Sequence, residues 1–263
     1  MENKLAQLES VLADLRSVVI AYSGGVDSTL LIAVAARVLD KRALAVTASS
    51  PIHPDAELRL AQAVASDIGV RHMVIETNEL DDPLFVANDE QRCYYCKRGL
   101  FAELRRLAGE NGLSAVADGT NYEDLREPRP GLRAAWEYAV VSPLAEVTLT
   151  KSEIRHISRG IGLSNWDKPS SPCLATRLPH GTPISEELLS RVARAEECLA
   201  SFGLTRLRVR HHGDIARIEV QREDMAVLAD EGLRKGIVDS LRAIGYTYVT
   251  LDLADRAGER GMD

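Results

Sequence analysis

The sequence predicts an α/β fold in which a doubly wound parallel sheet is followed by a smaller C-terminal α+β domain. In the first part, short apolar runs rich in β-branched residues alternate with helical patterns, as in a parallel sheet. In the last part, two strand patterns flank a short turn and helical patterns surround them, as in an α+β unit. We expect domains at 1–175 and 176–263. The predicted strands of the first domain cover 17–22, 42–48, 72–75 and 114–117, and the helices between them cover 30–39, 54–68 and 96–111.

Local signals support these elements in order. A helix is predicted over 4–16, where leucines recur on one helix face. Pro54 suits the first turn of its helix, and Gly69 suits the end of that helix. Gly112 likewise marks the end of the helix that precedes the fourth strand.

The second half begins with Thr150-Lys151-Ser152-Glu153, a capping box that predicts a helix to Arg159. Residues 162–183 carry four prolines and no periodicity, and a run of this length without regular structure is usually functional. Ser185 caps the next helix, which we expect to end near residue 201. The remaining elements are strands at 205–211, 215–220 and 246–251, helical stretches over 222–244, and a frayed tail from Ala254.

Composition limits the function classes. The 263 residues are 45% hydrophobic and 27% charged, as in a globular protein. The net charge of −7 argues against a nucleic-acid partner, because phosphate contacts need a basic surface. No apolar run approaches the ~18 residues of a membrane helix and the N-terminus begins no signal peptide, so we expect a cytoplasmic protein without a membrane partner. Four cysteines are then expected to be metal ligands or reactive thiols rather than disulfides.

Residues 23–29, Ser-Gly-Gly-Val-Asp-Ser-Thr, lie between the first strand and the next helix. Gly24 and Gly25 let the backbone turn tightly and approach a ligand, because neither carries a Cβ. The N–H groups at the start of the helix favour an anion. The motif therefore predicts a phosphate site. Ser23, Ser28 and Thr29 add hydroxyl donors, and Asp27 could either cap the helix or hold a cation such as Mg²⁺ next to the anion.

The motif is neither a Walker A loop nor GxGxxG. It resembles the PP-loop of the ATP pyrophosphatases, which cleave ATP between the α and β phosphates. The alternative is an ordinary serine-rich helix cap, which needs one Ser or Asp rather than the whole motif. Ligands of doubly wound sheets bind at the carboxyl ends of the strands, and Ala48, Gly119 and Asn121 fall on that edge.

Cys93 and Cys96 form a CxxC at the predicted start of a helix, and Cys173 lies in the long run without periodicity. Three thiolates suit an iron–sulfur cluster with one iron open to another ligand. A structural zinc ion is the alternative, with His53 or His180 as its fourth ligand.

Four segments together resemble the LarE family over essentially the whole chain: SGGVDST, RCYYCKRGLF, DGTNYEDL with RPGLRAA, and DKPSSPCLATR. The resemblance implies an ATP-dependent sulfur transferase of nickel-pincer nucleotide biosynthesis. Such enzymes use ATP and Mg²⁺ to adenylate a carboxylate of pyridinium-3,5-biscarboxylic acid mononucleotide, and then convert it to a thiocarboxylate. The resemblance also implies a homo-oligomer.

Within the family's pattern, residues 23–29 bind phosphate, Gly119 and its neighbours bind the nucleotide, and Cys173 delivers sulfur. Some members sacrifice the sulfur of this one cysteine, whereas members with the CxxC pair resemble cluster-bearing enzymes. This chain has all three cysteines, which favours a cluster held by Cys93, Cys96 and Cys173, with a sulfide source that the sequence does not identify. The substrate phosphate would be bound in the C-terminal domain by Arg208, Arg210 and Glu219, with Glu196 as a further candidate.

Three other functions remain open at this point. A PP-loop enzyme that thiolates tRNA could also use three cysteines, although the charge of −7 counts against it. An ammonia-using amide synthetase would share the ATP chemistry, with structural cysteines. A zinc-stabilised nucleotide-binding protein would lack catalysis.

Overall fold

The computed structural model describes residues 2–126, 129–204 and 206–254. The chain divides into two compact units. The N-terminal unit contains the chain up to residue 85 and residues 90–171, and the C-terminal unit contains residues 86–89 and the chain from residue 172 onward.

The described part of the N-terminal unit has a four-stranded, wholly parallel sheet in the order β3-β2-β1-β4. Its strands are β1 (Val18–Ala21), β2 (Ala43–Ser49), β3 (Arg71–Glu76) and β4 (Ala115–Ala117). The predicted fold class is confirmed. The helices of this part of the chain are α1 (Glu2–Leu15), α2 (Val26–Leu39), α3 (Asp55–Ile68), the short α4 (Pro83–Val86), α5 (Arg92–Glu110), α6 (Pro130–Glu137), α7 (Pro143–Glu146) and α8 (Lys151–Gly160).

Helices cover both faces of this sheet, because successive side chains of a strand point to opposite faces. Val18 and Ile20 of β1 belong to one apolar cluster, which also takes residues of α1, α2 and α8. Val19, between them, belongs to a second cluster with residues of α5 and α6. β1 is buried on both faces, which explains why its sequence is apolar without alternation.

β1 lies between β2 and β4, so the chain leaves β1 toward one edge of the sheet and later returns on the other side. Such a reversal of strand order leaves a crevice at the carboxyl ends of the strands, where ligands of doubly wound sheets bind. The loop after β1 and the loop after β4 meet there, and they carry the predicted phosphate and nucleotide residues.

Two helices begin four residues earlier than predicted. α2 begins at Val26 rather than at residue 30, so Asp27, Ser28 and Thr29 form its first turn. α5 begins at Arg92 rather than at Cys96, and Arg92 is buried by the tertiary structure.

The described part of the C-terminal unit has a three-stranded sheet in the order β5-β6-β7. β5 and β6 form the predicted antiparallel hairpin, and β7 pairs with β6 in parallel. The predicted strand at 205 begins at residue 208, and Thr205 lies outside the described residues. The helical prediction over 222–244 divides into two helices, because Asp230 caps the second one by accepting a hydrogen bond from the Leu233 N–H. The elements are α9 (Glu186–Ser201), β5 (Arg208–His212), β6 (Ile215–Glu219), α10 (Arg222–Val227), α11 (Glu231–Ile244) and β7 (Tyr248–Leu251).

Residues 162–183, predicted to lack regular structure, contain turns and one 3₁₀ turn at Leu174–Arg177. The predicted frayed tail begins at Ala254, and its remaining residues lie outside the described part of the chain. None of the described helices is both long and apolar enough to span a membrane.

Candidate active site

Residues 23–25 lie in the connection between β1 and α2. These residues and the first turn of α2, together residues 23–29, are called the PP-loop here. Gly24 has a φ of +72°, and a Cβ at this position would lie 2.9 Å from the Cβ of Ala61 on α3. Gly25 has an ordinary extended conformation and N-caps α2 without a side-chain cap hydrogen bond. The first N–H groups of α2 therefore point ahead of the helix, where the helix dipole favours an anion.

The Ser23 and Ser28 hydroxyls make contacts within the loop, whereas the Thr29 hydroxyl contacts a side chain outside it. Ser28 is buried, and its Oγ lies 3.2 Å from the Oγ of Ser23 and donates to the Gly25 carbonyl at 3.2 Å. The Ser23 N–H donates to the same Ser28 Oγ at 3.3 Å. Thr29 is fully buried and accepts a hydrogen bond from the Asn165 side chain, so it braces the loop from behind.

Asp27 lies in the first turn of α2, and its carboxylate is paired with a lysine. Lys151 Nζ, at the start of α8, lies 2.6 Å from Asp27 Oδ2. Asp27 Oδ1 is buried and has no hydrogen-bond partner among the described residues. Burial raises the pKa of Asp27, and the opposing effect of Lys151 is smaller. One carboxylate oxygen is thus available for a cation.

The loop after β4 approaches the start of α2 very closely. A Cβ on Gly119 would lie 3.0 Å from the Ser28 nitrogen and 3.1 Å from its Cα, so glycine permits this approach. Asn121 is buried, and its Oδ1 accepts hydrogen bonds from the Glu123 and Asp124 N–H groups at 2.8 and 3.2 Å. In the structure this side-chain oxygen therefore shapes the loop.

Ala48 lies near the carboxyl end of β2 and packs against the second apolar cluster. Its neighbour Thr47 donates from Oγ1 to the Tyr22 carbonyl at 2.8 Å, which fixes the residue before the PP-loop. The structure thus places the predicted residues from Ser23 to Thr29, together with Ala48, Gly119 and Asn121, on elements that end at one edge of the sheet.

Sequence reasoning missed three polar side chains that reach the PP-loop from the chain after β4. Lys151 pairs with Asp27, whereas Asn165 and Lys168 both donate to the Gly24 carbonyl, at 3.1 and 3.2 Å. Lys168 also pairs with Glu57 of α3 at 2.5 Å. The sequence marks only the segments that hold them, a capping box that includes Lys151 and the long run without periodicity that holds the other two, and not the contacts themselves.

The CxxC lies in the first two turns of α5. Cys93 is exposed, Cys96 is half-buried, and neither is in a disulfide. Their spacing of three residues places the two thiols on one helix face. Tyr94 lies between the two cysteines in sequence, and the Arg133 guanidinium stacks on its ring, with Cζ 3.6 Å from the ring centroid. Within the described residues of either unit, no three His, Cys, Asp or Glu side chains converge on a metal site.

Cys173 belongs to the C-terminal unit and N-caps the 3₁₀ turn Leu174–Arg177. Its carbonyl accepts hydrogen bonds from the Thr176 N–H and the Arg177 guanidinium, at 3.0 and 3.2 Å. Arg177 is buried and forms a two-point ion pair with Glu196 at 2.9 and 3.1 Å. Because Glu196 Oε1 also accepts from the Val209 N–H, Glu196 joins α9 to the Cys173 turn and to β5.

The predicted basic pair lies on β5, and Arg208 and Arg210 share one face of that strand. Arg208 lies opposite Glu219 in the hairpin register. Arg210 donates to Glu219 Oε1 at 3.0 Å and to the Thr176 carbonyl at 2.7 Å, so it contacts the turn that follows Cys173. Arg217, which sequence reasoning missed, donates to the same Glu219 oxygen at 2.9 Å.

Comparisons with known proteins agree with this geometry. The asparagine synthase family matches residues 9–87, which include β1, the PP-loop and α2. An uncharacterized protein of Synechocystis sp. is 45% identical over 253 residues, which cover 96% of this chain and 94% of that protein. A glutamine-hydrolyzing GMP synthase of Aeropyrum pernix is 28% identical over 198 residues, which cover 68% of this chain and 38% of that enzyme.

The pyridinium-3,5-bisthiocarboxylic acid mononucleotide synthase of Lactiplantibacillus plantarum is 35% identical over 257 residues. The aligned part covers 96% of this chain and 91% of the synthase, so the similarity includes both units. The predicted resemblance is confirmed: the chain belongs to the LarE family, and its N-terminal unit is an ATP-using domain of the PP-loop type.

Proposed function

We propose that this protein is an ATP-dependent sulfur transferase that adenylates carboxylates of pyridinium-3,5-biscarboxylic acid mononucleotide and converts them to thiocarboxylates in nickel-pincer nucleotide biosynthesis. The observation that carries the proposal is the similarity to the Lactiplantibacillus plantarum synthase along nearly the whole chain. The PP-loop geometry supports it independently, since the loop offers a phosphate site at the start of α2.

Adenylation needs the ATP phosphates to be held while a carboxylate oxygen attacks the α-phosphorus. In this proposal the N–H groups of the PP-loop and the hydroxyls of Ser23 and Ser28 bind the phosphates. The bond between the α-phosphorus and its bridging oxygen breaks, pyrophosphate leaves, and the substrate carboxylate is joined to AMP. The carboxylate gains a good leaving group, because AMP departs more readily than oxide.

The PP-loop fits a magnesium ion, because Asp27 Oδ1 is buried and accepts no hydrogen bond from any residue that the structure describes. We propose Asp27 as the Mg²⁺ ligand, for which its carboxyl must be ionised. A bound Mg²⁺ would supply positive charge that offsets the charge of the phosphates. Lys151 keeps the other oxygen of Asp27 in place.

The substrate phosphate is proposed to bind to Arg208 and Arg210. Two arginines on one face of a strand can hold one phosphate, and Glu219 orients the second of them. Glu196 then acts through Arg177 rather than on the substrate, because Arg177 engages both of its oxygens. The Arg210 contact with the Thr176 carbonyl links phosphate binding to the Cys173 turn.

For sulfur transfer we propose Cys173 together with a cluster held by Cys93, Cys96 and Cys173. The two thiols of α5 fit such a group because they lie three residues apart on one face of the helix, near its start. The third ligand rests on the resemblance of the motifs. A cluster with an open iron would supply sulfide as the nucleophile that displaces AMP. In the sacrificial route, the Cys173 thiolate attacks the carbonyl carbon, AMP leaves, and a thioester forms. Loss of the Cα proton and cleavage of the Cβ–S bond then leave the sulfur on the substrate as a thiocarboxylate and dehydroalanine at position 173.

ATP–pyrophosphate exchange with and without the pyridinium substrate tests adenylation. Gly25→Val should abolish exchange without unfolding the protein, because a Cβ there meets nothing closer than Ser23 Oγ at 3.3 Å. Gly109→Val on α5 is the matched control, since a Cβ there meets nothing within 4 Å. Substrate-dependent exchange that survives Gly25→Val would reject the assignment of the phosphate site.

Anaerobic absorption spectra with iron and sulfide analysis test the sulfur route. In the cluster route, Cys93→Ala and Cys96→Ala lose the absorption and the transfer, whereas Cys198→Ala, on α9, serves as the control. Dehydroalanine at position 173 after one turnover of the cluster-loaded protein would establish the sacrificial route instead. Light scattering measures the homo-oligomer that the family membership leads us to propose.

A further inference from the structure

Residues 165–168, called the strap here, contact the PP-loop from behind. We propose that Asn165 and Lys168 are positioning residues for adenylation: they hold the Gly24–Gly25 peptide so that the Gly25 N–H faces the ATP phosphates. The inference rests on the proposed function, since it assigns these residues to the phosphate site of that reaction.

Asn165 is the better buried of the two, with 6% of its surface exposed. Its Nδ2 donates to the Gly24 carbonyl at 3.1 Å and to Thr29 Oγ1 at 2.9 Å. Its Oδ1 is buried and has no hydrogen-bond partner in the described part of the chain. A buried polar atom without a partner costs stability, so the unpartnered Oδ1 counts against asparagine as a purely structural choice at this position. The role of Asn165 is instead to hold the Gly24 carbonyl through its Nδ2.

Lys168 gives the same carbonyl a second donor. Its Nζ lies 3.2 Å from the Gly24 oxygen and 2.5 Å from Glu57 Oε2, and the side chain is only 12% exposed. A carbonyl oxygen has two lone pairs, so it can accept from Asn165 and Lys168 together. The ion pair with Glu57 on α3 fixes the position of the ammonium group.

The strap is itself held in place, although it lies in a run without helix or strand. Arg155 of α8 donates to the carbonyl of Asp167 at 3.2 Å and to that of Lys168 at 3.1 Å. These hydrogen bonds connect the strap to α8, and Asn165 and Lys168 connect it to the Gly24 carbonyl.

The consequence for ATP follows from peptide geometry. In a planar trans peptide the C=O and the next N–H point in opposite directions. Fixing the Gly24 carbonyl on the strap therefore turns the Gly25 N–H away from it, toward the open side of the loop. That N–H donates to Ser23 Oγ at 3.4 Å, a long contact that a phosphate oxygen would replace. Two adjacent glycines leave this peptide free to rotate, so it needs an external restraint.

Asn165→Leu tests the proposal, because leucine has a similar shape, removes both donors and removes the unpartnered Oδ1. The matched control is Asn111→Leu, which removes an amide donor to the Leu107 carbonyl at the end of α5. Calorimetry with magnesium pyrophosphate and with ATP should show at least tenfold weaker binding for Asn165→Leu and unchanged binding for the control. In exchange assays the KM for ATP should rise tenfold or more, and the KM for the pyridinium substrate should change less than twofold.

A lower melting temperature with wild-type pyrophosphate affinity would assign Asn165 to folding alone and overturn the proposal. If Asn165→Leu does not fold, Lys168→Met decides: at least fivefold weaker pyrophosphate binding supports the proposal, and unchanged binding overturns it. Pyrophosphate binding does not depend on the identity of the second substrate. A wild-type protein that binds pyrophosphate but performs no exchange would reject the proposed function while the strap is still tested.

Discussion

Gly24→Ala tests whether the close approach of the PP-loop to α3 is a real constraint on the fold. At this position glycine serves two purposes that can be separated by experiment. Its φ of +72° is unfavourable for any residue with a Cβ, and the added Cβ would lie 2.9 Å from the Cβ of Ala61. The substitution should therefore destabilise the N-terminal unit through both backbone strain and steric overlap.

The magnitude can be worked out from its two parts. Placing alanine in the left-handed region costs about 1–2 kcal/mol. Overpacking by one methyl group against a helix costs about 1–3 kcal/mol more. We expect the free energy of unfolding to fall by about 2–5 kcal/mol in total.

Gly69→Ala provides the strain alone, because Gly69 has a φ of +75° and a Cβ there would meet nothing within 4 Å. The difference between the two variants measures the overlap with Ala61. Urea unfolding followed by tryptophan fluorescence is the assay, since Trp136 and Trp166 both belong to the N-terminal unit. Adding Ala61→Gly to Gly24→Ala should recover the overlap, less about 1 kcal/mol for a glycine within α3.

Equal destabilisation by Gly24→Ala and Gly69→Ala would refute this reasoning, because it would mean that α3 moves away from the loop at no cost. A double variant less stable than Gly24→Ala by the full cost of the new glycine, about 1 kcal/mol, would refute it as well, since no overlap at Ala61 would then have been relieved.

Three further predictions concern charged residues. Asp27→Asn should abolish exchange and leave the melting temperature at pH 7 equal to or above that of the wild type. Burial raises the pKa of Asp27, so its ionised form destabilises the folded protein at pH 7, and this destabilisation disappears when the carboxyl is protonated at low pH. A clear drop in melting temperature would contradict this reasoning. Lys4 and the capping box lower the pKa of Glu153 from 4.5 to about 2. Glu153→Gln should therefore lower the free energy of unfolding by about 1 kcal/mol at pH 7. In urea unfolding, the stability difference between variant and wild type should disappear as the pH falls from 4.5 toward 2. Arg208→Ala should raise the KM for the pyridinium substrate and leave pyrophosphate affinity unchanged. The rise should be roughly tenfold to a hundredfold, because a hydrogen bond to a charged group contributes about 1.5–3 kcal/mol. Weaker pyrophosphate binding with an unchanged KM for the pyridinium substrate would show that Arg208 does not belong to the substrate site.

The parts of the fold that the sequence predicts are those with local causes. β1 is apolar because it is buried on both faces, and residues 23–29 combine a glycine turn with a helix start in one continuous motif. Thr150 and Glu153 form the predicted capping box, in which each side chain accepts from the other's backbone N–H. Signals of this kind depend on neighbours within four residues, so a single sequence contains them.

The supporting contacts of the site have no such local signal. Asp27 and Lys151 are 124 residues apart in sequence, and Gly24 and Asn165 are 141 residues apart. Nothing in the residues around Asn165 distinguishes it from an ordinary polar loop residue, because its role depends on where the strap lies. The start of α5 was misplaced for a related reason: Arg92 is buried by the tertiary structure, which local propensity does not include.

The charges around the PP-loop lead to one more expectation about ATP. Lys151 and Lys168 each have a carboxylate partner, Asp27 and Glu57, so these four side chains carry no net charge. A triphosphate brings several negative charges to this neutral set, and backbone N–H groups offset them only in part. ATP affinity should therefore fall steeply when Mg²⁺ is removed with a chelator. Glu57→Gln should partly restore it, because Lys168 then keeps its full positive charge, while the amide oxygen still accepts from its Nζ and holds it beside the Gly24 carbonyl. Equal ATP affinity with and without Mg²⁺ in calorimetry would show that the two lysines leave their carboxylates and neutralise the phosphates themselves.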